Sequence, residues 1–157
     1  MKKRTAFIGA ILSLIPLGQP LLIKTGVVLS STGLILSVSE KVNAESSYFY
    51  LKRGDEKIKK EDYYGAIFDF TKAIEIQPNN AILYSIRSYP KSVLKDYIGA
   101  ISDLNKAIKI DPNEGSFYKL RGNYKYMLNE RQSACIDWSK AATLGDKDGI
   151  SNIKRWC

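Results

Sequence analysis

Few side chains in this chain are equipped for chemistry. Histidine, the usual general base and metal ligand at neutral pH, is absent from all 157 residues. The two cysteines, Cys135 and Cys157, cannot alone supply a four-ligand zinc site. Serine, lysine and tyrosine are plentiful, yet no nucleophile elbow, phosphate loop or paired-carboxylate arrangement gathers them. No catalytic residue, metal site, cofactor or small-molecule substrate is expected. The charged residues that do recur in register, Asp69 with Lys72, Asp103 with Lys106 and Asp137 with Lys140, stand three apart. On a helix that spacing makes neighbours, and these pairs are expected to be solvated, each contributing only ~0.2–0.5 kcal/mol.

Their register points to the elements beneath them. Tyr63 to Asn79, YYGAIFDFTKAIEIQPN, returns thirty-four residues later as YIGAISDLNKAIKIDPN, Tyr97 to Asn113, and a worn copy, RQSACIDWSKAATLGD, begins at Arg131. Ala66, Ala100 and Ala134 correspond, as do Ala73, Ala107 and Ala141. A period of this length marks small units that bury apolar surface only between neighbours and need about three copies to be stable.

In the first copy Ala66, Ile67, Phe70, Ala73, Ile74 and Ile76 share one helical face. Asp62 offers its N-cap and Pro78 its end. Ser46 to Ile58 reads as a preceding helix, so each unit is helix, turn, helix. Gly65 and Gly99 either let a neighbouring helix approach closely or serve as simple turn residues. Pro90 falls inside the first helix of the second unit. Interior proline costs about 3 kcal/mol, so a kink or early stop is expected near Tyr89.

These residues resemble the tetratricopeptide repeat family. Its 34-residue unit shows an aromatic, a small residue four later, then Ala, a bulky apolar residue, Ala and a closing Pro. Tyr50-Gly54-Ala66-Phe70-Ala73-Pro78 fits. So does Tyr84-Ser88-Ala100-Leu104-Ala107-Pro112, with Ser for Gly, and Tyr118-Gly122-Ala134-Trp138-Ala141, with Asp146 in place of Pro. Arg53, Arg87 and Arg121 stand where the family usually has leucine, and Lys57, Lys91 and Lys125 where it has a second aromatic.

The resemblance implies an all-α fold, a right-handed α-solenoid of three helix-turn-helix repeats at 45–80, 81–114 and 115–148, with a capping helix at 149–157. It implies a concave groove lined by the first helices, here Tyr48, Leu51, Asp55, Ile82, Ser85, Tyr89, Lys119, Asn123 and Tyr126. A peptide or partner helix would lie there, anchored by Tyr48, Tyr89 and Tyr126 and selected by Asp55, Lys119 and Asn123. Some family members clamp the terminal carboxylate of chaperone peptides. Here the matching places hold Leu51, Asp55, Ile86, Ser116 and Leu120, so that clamp is absent, although Lys119 and Asn123 reproduce its opening pair in the last repeat. Cys135 lies on the second helix of the third repeat and Cys157 ends the cap beside it, so a disulfide is expected if the domain is exported.

Ahead of the repeats lies a different composition. Met1-Lys2-Lys3-Arg4 is a positive start, AFIGAILSLIPL an apolar run, and Leu21 to Val38 a second one interrupted by Lys24 and Gly26. Residues 1–44 read as a signal peptide cut after Ala44, or as a membrane anchor acting through residues 5–39, with the repeats on the non-cytoplasmic side. A two-pass hairpin that returns the repeats to the cytoplasm, or an uncleaved apolar tail, are the other readings. Residues 1–45, with Lys2, Lys3, Arg4, Lys24 and Lys41 against Glu40 and Glu45, take +3 of the formal +8 charge and leave +5 to the repeat region, too little and too dispersed to indicate nucleic acid. The expected function is therefore binding of another protein. The alternative is a structural, self-associating component of a membrane complex whose apolar N-terminus does the work.

Overall fold

The computed structural model describes residues 21–22, 28–29 and 35–157, with side chains from 46 onward. The expectations for a signal or anchor before Ile35 lie largely outside the described residues. The chain divides into two compact units, Met1–Val42 and Asn43–Cys157. In the first, β1 (Leu21–Leu22) and β2 (Val28–Leu29) pair antiparallel, Leu21 opposite Leu29.

The second unit is helical. Its elements are α1 (Ile35–Lys59, which begins in the first unit), α2 (Tyr63–Ile76), α3 (Ala81–Val93), α4 (Tyr97–Ile110), α5 (Gly115–Met127), α6 (Arg131–Thr143) and α7 (Lys147–Trp156). They form a helical solenoid in which each helix from α2 onward packs on the next. α1 begins eleven residues before the expected Ser46, because nothing between Ile35 and Arg53 breaks a helix. The Ala44–Glu45 bond lies inside it. Among the described residues no helix is long and apolar enough to cross a membrane.

The turns between paired helices close on Glu61 (φ 59°), Lys95 (φ 62°) and Asn129 (φ 62°), left-handed residues just past a helix end. Asp62, Asp96 and Asp146 then cap the next helices by accepting from the amides of Gly65, Gly99 and Gly149. The close neighbour that requires glycine at 65 and 99 is that capping carboxylate, not an approaching helix, for a Cβ there would collide with Asp62 or Asp96.

The core repeats with the sequence. Ala66, Ala73, Ala100, Ala107, Ala134 and Ala141 are all wholly buried. Between the helices of each pair a small residue faces a large one: Gly54 meets Phe70 and Gly122 meets Trp138, where any Cβ would strike the ring. The second repeat places buried Ser88 in the equivalent position, with the smaller Leu104 in place of the ring. α3 does not stop early near Tyr89. It runs through Pro90 to Val93, equal in length to α5, and Pro90 and Ser88 are buried inside it. Tertiary packing outweighs the local cost of the proline.

The expectation of solvated Asp–Lys pairs fails. Asp69, Asp103 and Asp137 are buried at 0%, 3% and 2% exposure, so they cannot pair across a wet surface. Each instead faces an arginine and a lysine of the preceding helix. Arg87 Nε and Nη2 donate to Asp103 at 2.9 and 2.6 Å, and Lys91 Nζ lies 2.8 Å away. Arg121 and Lys125 treat Asp137 identically, and Arg53 with Lys57 does so for Asp69. The residues that depart from the family pattern thus form one repeated device. Burial works against the charge of Asp69, but hydrogen bonds from Arg53 and Lys57 outweigh it and hold the carboxyl below its ordinary pKa.

Candidate functional site

The first helices α1, α3 and α5 carry the residues expected to line a groove. On α1 and α3 they are largely open. Tyr48, Ile82 and Tyr89 are 66%, 60% and 52% exposed, and Asp55 is exposed beside them. Leu51 is not a free wall: it is half-buried and packs toward Ala73, Ile74 and Leu83. Ser85 is half-buried, its carbonyl accepting from the Ser88 hydroxyl.

On α5 the three expected residues are engaged within the chain. Lys119 Nζ bridges Asp146 at 3.2 Å and Asp148 at 3.0 Å, at the start of α7. Burial opposes the charge on Lys119, but those hydrogen bonds win and hold its pKa above the ordinary value. The Asn123 side-chain oxygen accepts from Trp138 Nε1 at 2.9 Å and from Asn152 Nδ2 at 3.1 Å. The Tyr126 ring lies 5.7 Å from Trp138 and 5.0 Å from Trp156. α7 therefore takes up the polar groups of α5 that a ligand would otherwise meet.

A cleft of about 430 Å³ opens where the ends of α3, α5 and α7 converge, with Tyr97, Tyr124, Tyr126, Met127, Trp138 and Trp156 among its walls. Sequence reasoning placed Tyr126 in the groove but missed the others. Trp156 was legible only as a cap residue in step with Ile150 and Ile153, yet it is 43% exposed and forms a wall. Next to it, Cys157 is joined to Cys135 on α6 by a disulfide, S–S 2.04 Å and Cα–Cα 5.9 Å. Among the described residues no group of carboxylates and cysteines is arranged to hold a metal ion.

Residues 47–80 and 94–114 match the family model of the tetratricopeptide repeat. No curated protein matches the chain. Among solved structures it is similar to the Arabidopsis OM64 TPR domain, at 27% identity and a TM-score of 0.67 over 73% of this chain and 96% of that one. It is similar in fold to the first TPR of Spaghetti (RPAP3) bound to the HSP90 peptide SRMEEVD, at 22% identity and a TM-score of 0.67 over 71% and 90%. The TPR2AB domain of yeast Sti1, solved as a pHSP90 complex, is 25% identical with a TM-score of 0.64 over 76% of this chain and 48% of that one.

Proposed function

Because this chain belongs to the tetratricopeptide-repeat family, we propose that it is a protein-interaction module that holds a peptide or helix of another polypeptide along the inner faces of α1 and α3. It performs no catalysis in this reading. The observation that carries it is the exposure of Tyr48, Ile82 and Tyr89, three large side chains left open on successive first helices. Such groups bind by burying area at little entropic cost. The similar Sti1 domain was solved as a pHSP90 complex, which supports a polypeptide ligand. The partner here differs in chemistry, since the terminal-carboxylate clamp is missing and Lys119 and Asn123 serve α7 instead.

The module works exported or tethered to a membrane with the repeats on the non-cytoplasmic side. Support comes from the positive start and apolar run of the sequence and from the Cys135–Cys157 disulfide, which persists best in an oxidising compartment. The N-terminal residue of the native protein and its cell fraction test this part: Met1 recovered from a reducing, soluble fraction overturns it.

Self-association is the second reading, favoured by Tyr64, Phe68, Ile98 and Ile136, all 55–76% exposed on α2, α4 and α6. One comparison separates the two. A partner retained by the full chain is lost with Tyr48→Ala plus Tyr89→Ala and kept with Tyr64→Ala plus Ile98→Ala. If instead the second pair abolishes an oligomer and the first changes nothing, self-association replaces groove binding.

A further inference from the structure

The aromatic cleft at the α7 end differs from the rest of the groove in having walls on several sides. Its volume of about 430 Å³ lies in the range of small ligand sites. Met127 and Trp156, 59% and 43% exposed, leave its apolar surface open to solvent. No carboxylate lines it. Two guanidinium groups stand over its rings: Arg131 is 5.9 Å from the Tyr126 centroid and Arg155 4.8 Å from that of Trp156. Both are exposed, and among the described residues neither joins an ion pair.

Aromatic enclosures elsewhere receive cations. Here the rings already carry two cations, and an incoming ammonium would meet like charge with no carboxylate to offset it. The opposite polarity fits: an apolar group for the rings and anionic groups for the rim. We infer that this cleft is the anchor pocket of the groove, taking a large apolar side chain of a partner segment whose neighbouring Asp or Glu residues pair with Arg131 and Arg155. The inference deepens the peptide-binding reading and rests on it. The segment is internal and not a chain end, because a terminal carboxylate needs a convergent clamp. The clamp positions hold Leu51, Asp55, Ile86, Ser116 and Leu120, while the two rim guanidiniums are separate and suit separate side-chain carboxylates.

The chain has two tryptophans and both line the cleft, so the indole N–H region of a ¹⁵N-labelled full chain reports on it directly. The probe is an acetylated, amidated pentapeptide, Glu-Glu-Phe-Glu-Glu. The expected result is a saturable shift of both indole signals. Replacing Phe by Ala, or the four Glu by Gln, weakens binding at least tenfold, as does R131Q with R155Q, two exposed substitutions that leave the fold intact. Equal response to the Gln peptide, or indifference to R131Q with R155Q, overturns the acidic specificity. Tighter binding of acetyl-Glu-Glu-Phe with a free carboxyl end overturns the internal segment. If the indoles stay silent while Tyr48→Ala plus Tyr89→Ala abolishes partner capture, the cleft assignment falls and the groove reading stands.

Discussion

Arg87 and Asp103 meet as a fork on a carboxylate, two parallel hydrogen bonds of 2.9 and 2.6 Å across the α3–α4 interface, with both side chains largely shielded from water. The same geometry recurs one period later between Arg121 and Asp137. A buried charge without its partner is costly, whereas a surface pair is nearly neutral.

Asp103→Ala is therefore expected to destabilise the domain by about 3 kcal/mol, because it strands Arg87 and Lys91 facing an apolar interface. Lys106→Ala, which removes only the exposed neighbour, is expected to change stability by less than ~0.5 kcal/mol. Urea unfolding followed by circular dichroism distinguishes the two, and equal midpoints would refute the assignment.

Acid should weaken the first repeat through Asp69. Its carboxyl is held below the ordinary value despite burial, by Arg53 and Lys57. A depressed carboxylate pKa contributes stability that is complete above the unfolded value near pH ~4 and is lost as pH falls from there through the folded value. The urea midpoint of the wild type should fall over that acid window, and Asp69→Asn, weaker at neutral pH, should show a flatter acid limb.

Closing the 22-residue span between Cys135 and Cys157 stabilises the fold by about 3 kcal/mol in the chain-entropy model. Cys135→Ser with Cys157→Ser should lower the unfolding free energy by that order. It should also speed tryptic cleavage after the already exposed Lys154 and Arg155 by letting α7 fray, since a ten-residue helix is marginal without tertiary anchors. Unchanged cleavage kinetics would show that Lys119, Asn123 and the Trp156 stack hold α7 unaided.

Lys95 sits at φ 62° just past the end of α3. A left-handed conformation costs a side-chain-bearing residue about 1–2 kcal/mol, and glycine surrenders roughly half of that gain to chain entropy. Lys95→Gly should raise stability by ~0.5–1 kcal/mol, and Lys95→Val should lower it, both read from thermal midpoints.

The helical pairing was legible because small residues recur at a fixed period: Ala66, Ala100 and Ala134 mark where helices touch, and Gly54 and Gly122 where rings enter. The partners of Asp69, Asp103 and Asp137 were not. Spacing of three suggested the lysine that follows, whereas the true partners lie sixteen and twelve residues earlier, across a turn. That register was present in the sequence, since Arg53, Arg87 and Arg121 share it. What local rules could not supply is the burial that turns a weak pair into an obligatory one. Pro90 misled for a related reason: its cost is local, and the packing that offsets it comes from neighbouring helices. The open residues of α1 and α3 were anticipated, but the commitment of Lys119, Asn123 and Tyr126 to α7 depends on where the last helix lands, which no periodicity encodes.

Arg87 also donates to the Thr71 hydroxyl at 3.0 Å, and Arg121 to the Asn105 side-chain oxygen at 2.7 Å, each reaching the second helix of the preceding repeat. An engineer wishing to lengthen, shorten or shuffle this protein therefore has one safe seam. Cuts belong between a second helix and the first helix that follows, where a whole cassette travels with its own arginine, lysine and aspartate. The recipient then need present only a hydroxyl or amide oxygen at the junction.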